Sequence, residues 1–114
     1  MPAGTHDITI EQGATFNKSI RVKDSEGDFV NLSDVTAVRG MIRKSYSASD
    51  SYAFTLAVES AASGLISWTM GATLTASIPV TSPQDYIYDI EVVRTDTVER
   101  ILQGTASISP EVTK

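Results

Sequence analysis

A regular alternation of apolar and polar residues is the feature that most constrains this chain. It is clearest in "YIYDIEVVR", residues 86–94, and "VERILQGTASIS", residues 98–109, which the short link Thr95-Asp96-Thr97 separates. Successive side chains of a β-strand point to opposite faces, so a period of two predicts strands with one buried face. Aspartate suits a tight turn, because its carboxylate can accept hydrogen bonds from nearby backbone N–H groups. The two segments therefore predict a long hairpin.

The same period recurs upstream of this hairpin. The predicted strands lie in "HDITI", "TFNKSIRVK", "FVNL", "VTAVRGMIRKSY", "YAFTLAVE" and "LISWTM". The last of them puts Ile66, Trp68 and Met70 on one face, which we expect to lie in the core. About seven or eight strands, spaced roughly 8–12 residues apart, are typical of a two-sheet β-fold. The pattern predicts an all-β protein, an antiparallel immunoglobulin-like β-sandwich.

Three places interrupt the alternation. In "GATLTASIPV" the apolar residues Leu74 and Ile78 are spaced for one face of a helix, and Pro79 stops a helix there. We expect one short helical turn near residues 72–78. Gly40 and Gly104 lie inside predicted strands, where an isolated glycine marks a bend or a close backbone approach.

The length of 114 residues is that of one domain. We expect a single β-sandwich over residues 1–114 that begins near His6 or Ile8. Its short flexible ends would be about residues 1–6, which have no apolar pattern, and residues 110–114, where a proline lacks the N–H that strand pairing needs.

Composition excludes several classes of protein. The chain has no cysteine, so it holds neither a disulfide nor a thiolate metal site, and its net charge of −5 argues against nonspecific nucleic-acid binding. No apolar run approaches the roughly 18 residues of a membrane span, and the first residues lack the pattern of a secretory signal. The small basic cluster of Arg39, Arg43 and Lys44 is interpreted as a solvated strand face.

The candidates for metal or histidine chemistry are weak. His6 is the single histidine, and it lacks the partners that a triad or a zinc site requires. Asp24, Glu26 and Asp28 alternate in "DSEGD", but a calcium loop needs more oxygen ligands, a differently placed glycine and a distant bidentate glutamate. A plain turn, with Gly27 at positive φ, is the better interpretation.

Asp89 and Glu91 are the one pair of carboxylates with glycosidase-like spacing, since they share a strand face. Any two such residues on a strand meet that distance, so a solvated face is the preferred interpretation. The sequence therefore predicts no catalytic residues, no cofactor and no metal. A small hydrolase using this pair is kept as a third hypothesis.

The aromatic residues lie mostly on apolar stripes, which predicts a place in the core. They are Tyr46, Tyr52, Phe54, Trp68, Tyr86 and Tyr88. If the protein were instead a carbohydrate-binding module, Trp68 and Tyr86 would be the side chains that stack on sugar rings.

Four motifs follow one another over about residues 8–113: "QGATFNKSIRVKDSEGDFVNLSDVTAVRGMIR", "GLISWTMGATLTASI", "YIYDIEVVR" and "ILQGTASISPEVT". Their order resembles that of small β-sandwich proteins of tailed bacteriophage virions. The resemblance implies a non-enzymatic structural part of the tail, the baseplate or the head–tail region, with no catalytic residues to carry over. It also implies contacts with other virion proteins in a symmetric homo-oligomeric assembly, and a location in the virion after synthesis in the bacterial cytoplasm. A carbohydrate-binding or adhesion module remains the alternative.

Overall fold

The structure, a computed structural model, describes residues 4–23, 26–28 and 30–112. Within them lie nine strands and one short helix. Their bounds are β1 Gly4–Thr5, β2 Ile8–Glu11, β3 Phe16–Arg21, β4 Val35–Arg43, β5 Ser51–Ala53, β6 Thr55–Ser60, β7 Leu65–Met70, α1 Ala72–Ala76, β8 Gln84–Arg94 and β9 Val98–Ser109. No helix in these ranges is long and apolar enough to cross a membrane.

The strands form two layers. The larger sheet has the order β1–β9–β8–β4–β5, with β2 also paired to β9, and the smaller sheet has the order β3–β7–β6. Apolar side chains of both inner faces fill the space between the layers. The predicted all-β sandwich and the predicted helical turn near residues 72–78 are both confirmed. The β8–β9 hairpin turns as expected at residues 95–97, where the Arg94 N–H donates to the Thr97 carbonyl at 2.8 Å.

The first two strands depart from the antiparallel prediction, because both run parallel to β9. Gly4 lies opposite Leu102, and Glu11 lies opposite Ser109. A period of two sets which face a side chain takes but not the direction of the neighbouring strand, so the sequence pattern did not encode this pairing.

The start of the sandwich was therefore predicted too late in the chain. Gly4 and Thr5 pair with β9, and the His6 N–H donates to the Gln103 carbonyl at 2.9 Å. In the other predicted flexible end, about residues 110–114, the Glu111 N–H donates to Gln12 Oε1 at 2.9 Å. Residues 1–3 and 113–114 lie outside the described residues.

The segment "YAFTLAVE" is two strands rather than the single strand predicted. β5 pairs with β4 in the larger sheet, whereas β6 pairs with β7 in the smaller sheet, and the chain passes between the layers at the buried Phe54. The inward alternation continues through this crossing, because both strands face the same core. The change of hydrogen-bonding partner is therefore invisible in the hydrophobic pattern.

The predicted strand "FVNL" is not a strand in its described residues. The Val30 N–H donates to the Val22 carbonyl at 2.9 Å, and the Leu32 N–H donates to the Ala61 carbonyl at 2.8 Å. Leu32 is only 2% exposed. The segment is thus an apolar loop that covers one end of the core, and Phe29 lies outside the described residues.

Trp68 lies at the centre of an aromatic cluster that spans both sheets. Ile66 and Trp68 are fully buried and Met70 is 1% exposed, which confirms the inward stripe predicted for β7. Phe54 meets the Trp68 ring edge-on, with centroids 5.2 Å apart, and Tyr88 of the larger sheet lies 5.4 Å away. Such pairs add specific ring contacts to the burial of large apolar surfaces.

Replacing Trp68 by alanine should therefore destabilise the protein by about 3–5 kcal/mol, because a large side chain is removed from a space that the two sheets cannot close. Chemical denaturation would measure this loss. Tyr46→Ala is the matched control, since it removes an aromatic ring that is 90% exposed. Equal stabilities of the two variants would contradict the central position of Trp68.

Candidate functional site

A polar groove of 470 Å³ lies on the outer face of the larger sheet. Its floor is formed by β4, β8 and β9, whose inward residues, including Ile42, Tyr88 and Ile90, are buried in the core. The residues between them therefore point outward. Cross-strand pairing arranges these outward side chains in three rows: Arg39, Glu91 and Arg100; Met41, Asp89 and Gln103; Arg43, Ile87 and Thr105.

Two ion pairs run across the groove. Arg39 Nε lies 2.9 Å from Glu91 Oε1, and Arg100 Nε lies 3.3 Å from Asp89 Oδ2. The two arginine side chains are 60% and 51% exposed, so each pair adds at most about 1 kcal/mol to stability. Their main effect is to hold donors and acceptors side by side in contact with solvent.

One wall of the groove is the loop between β4 and β5. The Arg43 guanidinium donates to the Ala48 carbonyl at 2.7 Å, and the Ala48 N–H donates to the Ser45 carbonyl at 3.2 Å. These bonds fasten the loop beside the sheet. Tyr46, which lines the groove, is carried on this loop and is 90% exposed.

The opposite wall is β1, which contributes Thr5. It is held in place by the next residue, because the buried Tyr88 hydroxyl donates a hydrogen bond to the His6 carbonyl. The Asp7 carboxylate adds a bond from the Thr105 N–H at 3.1 Å. His6 thus acts through its backbone, and its side chain is exposed.

The carboxylate pair proposed from the sequence does share this face. Asp89 and Glu91 share the outward face of β8, as their spacing predicted. Both line the groove, and each is engaged by an arginine. The described lining residues include no histidine, cysteine or serine. The arrangement offers hydrogen-bond donors and acceptors to a polar ligand, on an open face rather than in a closed cleft. Arg39 and Arg43 of the predicted basic face also lie here, but neither is a free cation.

The burial predicted for Trp68 and Tyr86 is confirmed, which excludes both as residues that stack on a sugar. Trp68 is fully buried and Tyr86 is 3% exposed, so neither ring can reach a ligand. Conversely, Tyr46 was expected in the core and is exposed. Its neighbours "SYSASD" are small and polar, and this loop composition is the signal that could have identified it.

The structure describes only part of the acidic turn "DSEGD", residues 26–28. Asp24 lies outside the described residues, whereas Gly27 has the expected positive φ, 85°. Across the ranges that the structure covers, no group of three or more histidine, cysteine, aspartate or glutamate side chains is placed to hold a metal ion.

No protein-family model matches this chain, and no curated protein matches it. Among solved structures, a sialyltransferase from Photobacterium damsela is similar over 95% of this chain and 18% of its own, with 7% identity and a TM-score of 0.43. A 2,6-sialyltransferase from Photobacterium sp. JT-ISH-224 is similar over the same shares, with 13% identity and a TM-score of 0.36. This chain thus spans less than a fifth of either enzyme, and likeness at this level carries no functional argument.

Both glycines singled out in the sequence lie at close backbone approaches, as predicted. A Cβ on Gly40 would lie 2.7 Å from the Asp89 carbonyl oxygen, and a Cβ on Gly104 would overlap the His6 carbonyl oxygen. Glycine at 104 is thus what allows β1 and the His6 carbonyl to come so near β9.

Gly104→Ala should accordingly loosen the β1 wall and destabilise the protein by about 1–3 kcal/mol, the usual range for overpacking a close contact. Gly71→Ala is the control, because an added Cβ there meets nothing within 4 Å. Hydrogen exchange of the β1 and β2 amides would localise the effect. Unchanged exchange in Gly104→Ala would show that the close approach is not required.

Burial raises the pKa of Tyr88 to about 12 from its ordinary value of 10.0, and the nearby Asp7 carboxylate adds to the rise. The folded state therefore favours the protonated phenol. Its contribution to stability is fully present below pH 10 and is lost as the pH rises from 10 towards 12.

Tyr88→Phe removes the donor to the His6 carbonyl, and we expect a loss of about 1 kcal/mol at neutral pH. The difference between wild type and variant should shrink as the pH rises above 10, because only the wild type loses the contribution of this phenol. Urea unfolding between pH 7 and 12 would measure it, with Tyr46→Phe as the surface control. A difference that stays constant up to pH 12 would contradict the role of the Tyr88 hydroxyl.

Proposed function

We propose that this chain is a non-enzymatic structural part of a tailed-bacteriophage virion, placed in the tail, the baseplate or the head–tail region. The observation that carries the proposal is the ordered set of motifs over residues 8–113, which resembles small β-sandwich proteins of such particles. The protein acts through contacts with other virion proteins and with further copies of itself.

The motif residues support this proposal because they serve the framework of the sandwich. The Gln12 side chain donates to the Ile78 carbonyl at 2.7 Å and accepts from the Glu111 N–H at 2.9 Å, so it joins the start and the end of the fold. Gly64 has a φ of 66°, and a Cβ there would lie 2.8 Å from the Val22 carbonyl oxygen. These motif residues hold the scaffold together, which leaves the outer faces and loops to contact partners.

The direction of the outer strands suits repeated contacts at both ends of the molecule. β9 has 12 residues and spans about 40 Å, close to the longest dimension of 42 Å. β1 pairs with Leu102 and Gln103 near the middle of β9, whereas the β8–β9 turn and the end of β9 lie at opposite ends of the molecule. A stack or ring of copies can use such opposed ends as complementary surfaces.

Direct pairing through the β3 edge is disfavoured. Lys18 lies opposite Trp68, so it is on the core-facing side of β3, yet it remains exposed at the edge of the smaller sheet. An inward-pointing lysine on an edge strand opposes addition of another strand there. We therefore place the assembly contacts on the ends of the molecule.

The test is the composition of purified particles. Phage particles encoded by the same genome, banded in a density gradient, should contain the tryptic peptide of residues 101–114 in several copies per particle. Antibody labelling by electron microscopy should then place the protein at the tail or neck. Recovery of the peptide only from the soluble fraction of the infected lysate would overturn the proposal.

A further inference from the structure

We propose that the groove on the larger sheet binds a neutral oligosaccharide, through Tyr46 and the paired polar side chains of β4, β8 and β9. This inference goes beyond the structural role and does not depend on it. It also differs from the sugar-binding hypothesis drawn from the sequence, whose aromatic residues are buried.

The first step concerns the backbone of the groove floor. β8 lies between β4 and β9, β9 lies between β8 and the first two strands, and β4 lies between β8 and β5. β8 is paired on both sides through the groove, and so are Met41–Arg43 of β4 and Leu102–Gln103 of β9. At these central positions an extended peptide cannot add a strand, so recognition there goes through side chains.

The second step concerns charge. Arg39 is paired with Glu91, Arg100 is paired with Asp89, and the Arg43 guanidinium donates to a loop carbonyl. A strongly anionic ligand would have to displace these carboxylates. Sugar hydroxyls both donate and accept hydrogen bonds, so they can bind to the guanidinium and carboxylate groups without separating them.

Further neutral groups continue this mixed lining. Gln103 offers an amide with both donors and an acceptor, and Thr5 and Thr105 offer hydroxyls. Alternating donors and acceptors of this kind match a ring that carries several hydroxyls. They do not match a ligand with a single charge.

The third step concerns apolar surface. Met41 and Ile87 are half-buried in the floor, and Tyr46 projects from the loop beside them. Tyr46 is 90% exposed, so its planar ring is presented to solvent beside the groove. The C–H face of a sugar can stack on this ring while the hydroxyls at its rim meet the polar rows.

The size of the groove is consistent with such a ligand. Its 470 Å³ falls within the range of about 300–1,000 Å³ that is typical of small-molecule sites. Being open along the sheet face, it suits a short stretch of a longer glycan as well as a free oligosaccharide.

The experiment is a titration followed by amide chemical shifts, with maltohexaose, cellohexaose, xylohexaose and chitohexaose as neutral probes and a heparin hexasaccharide as the anionic probe. We expect at least one neutral probe to shift the amides of Met41, Ile87 and Gln103. Tyr46→Ala should weaken that binding roughly tenfold through loss of stacking, whereas Tyr46→Phe should retain it.

Two controls separate the groove from general surface effects. Val98→Ala removes an exposed apolar side chain elsewhere and should leave the affinity within about twofold, a difference well under 1 kcal/mol. Glu91→Gln should weaken binding by removing a charged acceptor, whereas Glu59→Gln, on the smaller sheet, should not.

Four results would overturn the proposal. The first is that no neutral probe at millimolar concentration shifts the groove amides. The second is binding that Tyr46→Ala leaves unchanged, and the third is binding of the heparin probe alone. The fourth is a shift of the groove amides with protein concentration and no sugar, which would show that a second copy of the chain occupies the face.

Discussion

The packing of Trp68 between the two sheets is the contact on which the rest of this fold depends. Its ring touches Phe16 of β3, Phe54 at the crossing between sheets, and Tyr88 of the larger sheet. Each layer is thin, and the smaller one has only three strands, so neither would be stable without the other. Trp68 Nε1 is buried without a hydrogen-bond partner in the described structure, which costs about 1–3 kcal/mol. Burial of the large ring and its contacts with three neighbouring rings offset this cost.

The groove is an indirect product of the same packing. Tyr88 contacts Trp68 with its ring and the His6 carbonyl with its hydroxyl, so one side chain links the core to the strand that forms a groove wall. The outer rows follow from strand alternation, since the inward apolar residues of β4 and β8 alternate with outward residues such as Arg39, Asp89 and Glu91. The outer face thus combines a paired sheet floor with the Tyr46 loop, which the bond from Arg43 to the Ala48 carbonyl holds beside it.

Much of the fold could be predicted from the sequence because the hydrophobic pattern reports burial directly. The inward stripe of Ile66, Trp68 and Met70 and the close approach at Gly104 were both predicted correctly. The pattern does not report which strand a segment pairs with. That is why the crossing at Phe54 and the parallel direction of β2 were missed.

The candidate site was predicted only in fragments, for the same reason. Asp89 and Glu91 were predicted to share a face of one strand, and Arg39 and Arg43 were predicted to lie on a face of another. Nothing local in the sequence indicates that these two strands, β8 and β4, are neighbours. Their union is set by registers that join residues about fifty positions apart, such as Arg39 and Glu91. Tyr46 was misplaced because aromatic residues are usually buried, and only the small polar residues around it distinguish a loop from a stripe.

The parallel pairing of the first strand with the last also has a consequence for how the chain is made. The Thr105 N–H donates to Asp7 Oδ1 across a separation of 98 residues. The strands β1 and β2 are therefore synthesised well before β9, the strand with which they pair. Until then Ile8 and Ile10, both buried in the finished protein, have no sheet to cover them. Closing so long a loop carries an entropic cost before any contact is gained, which slows folding of sheets with distant partners. The larger sheet can be completed only after synthesis has reached β9, whereas β6 and β7, which are close in sequence, can pair much earlier.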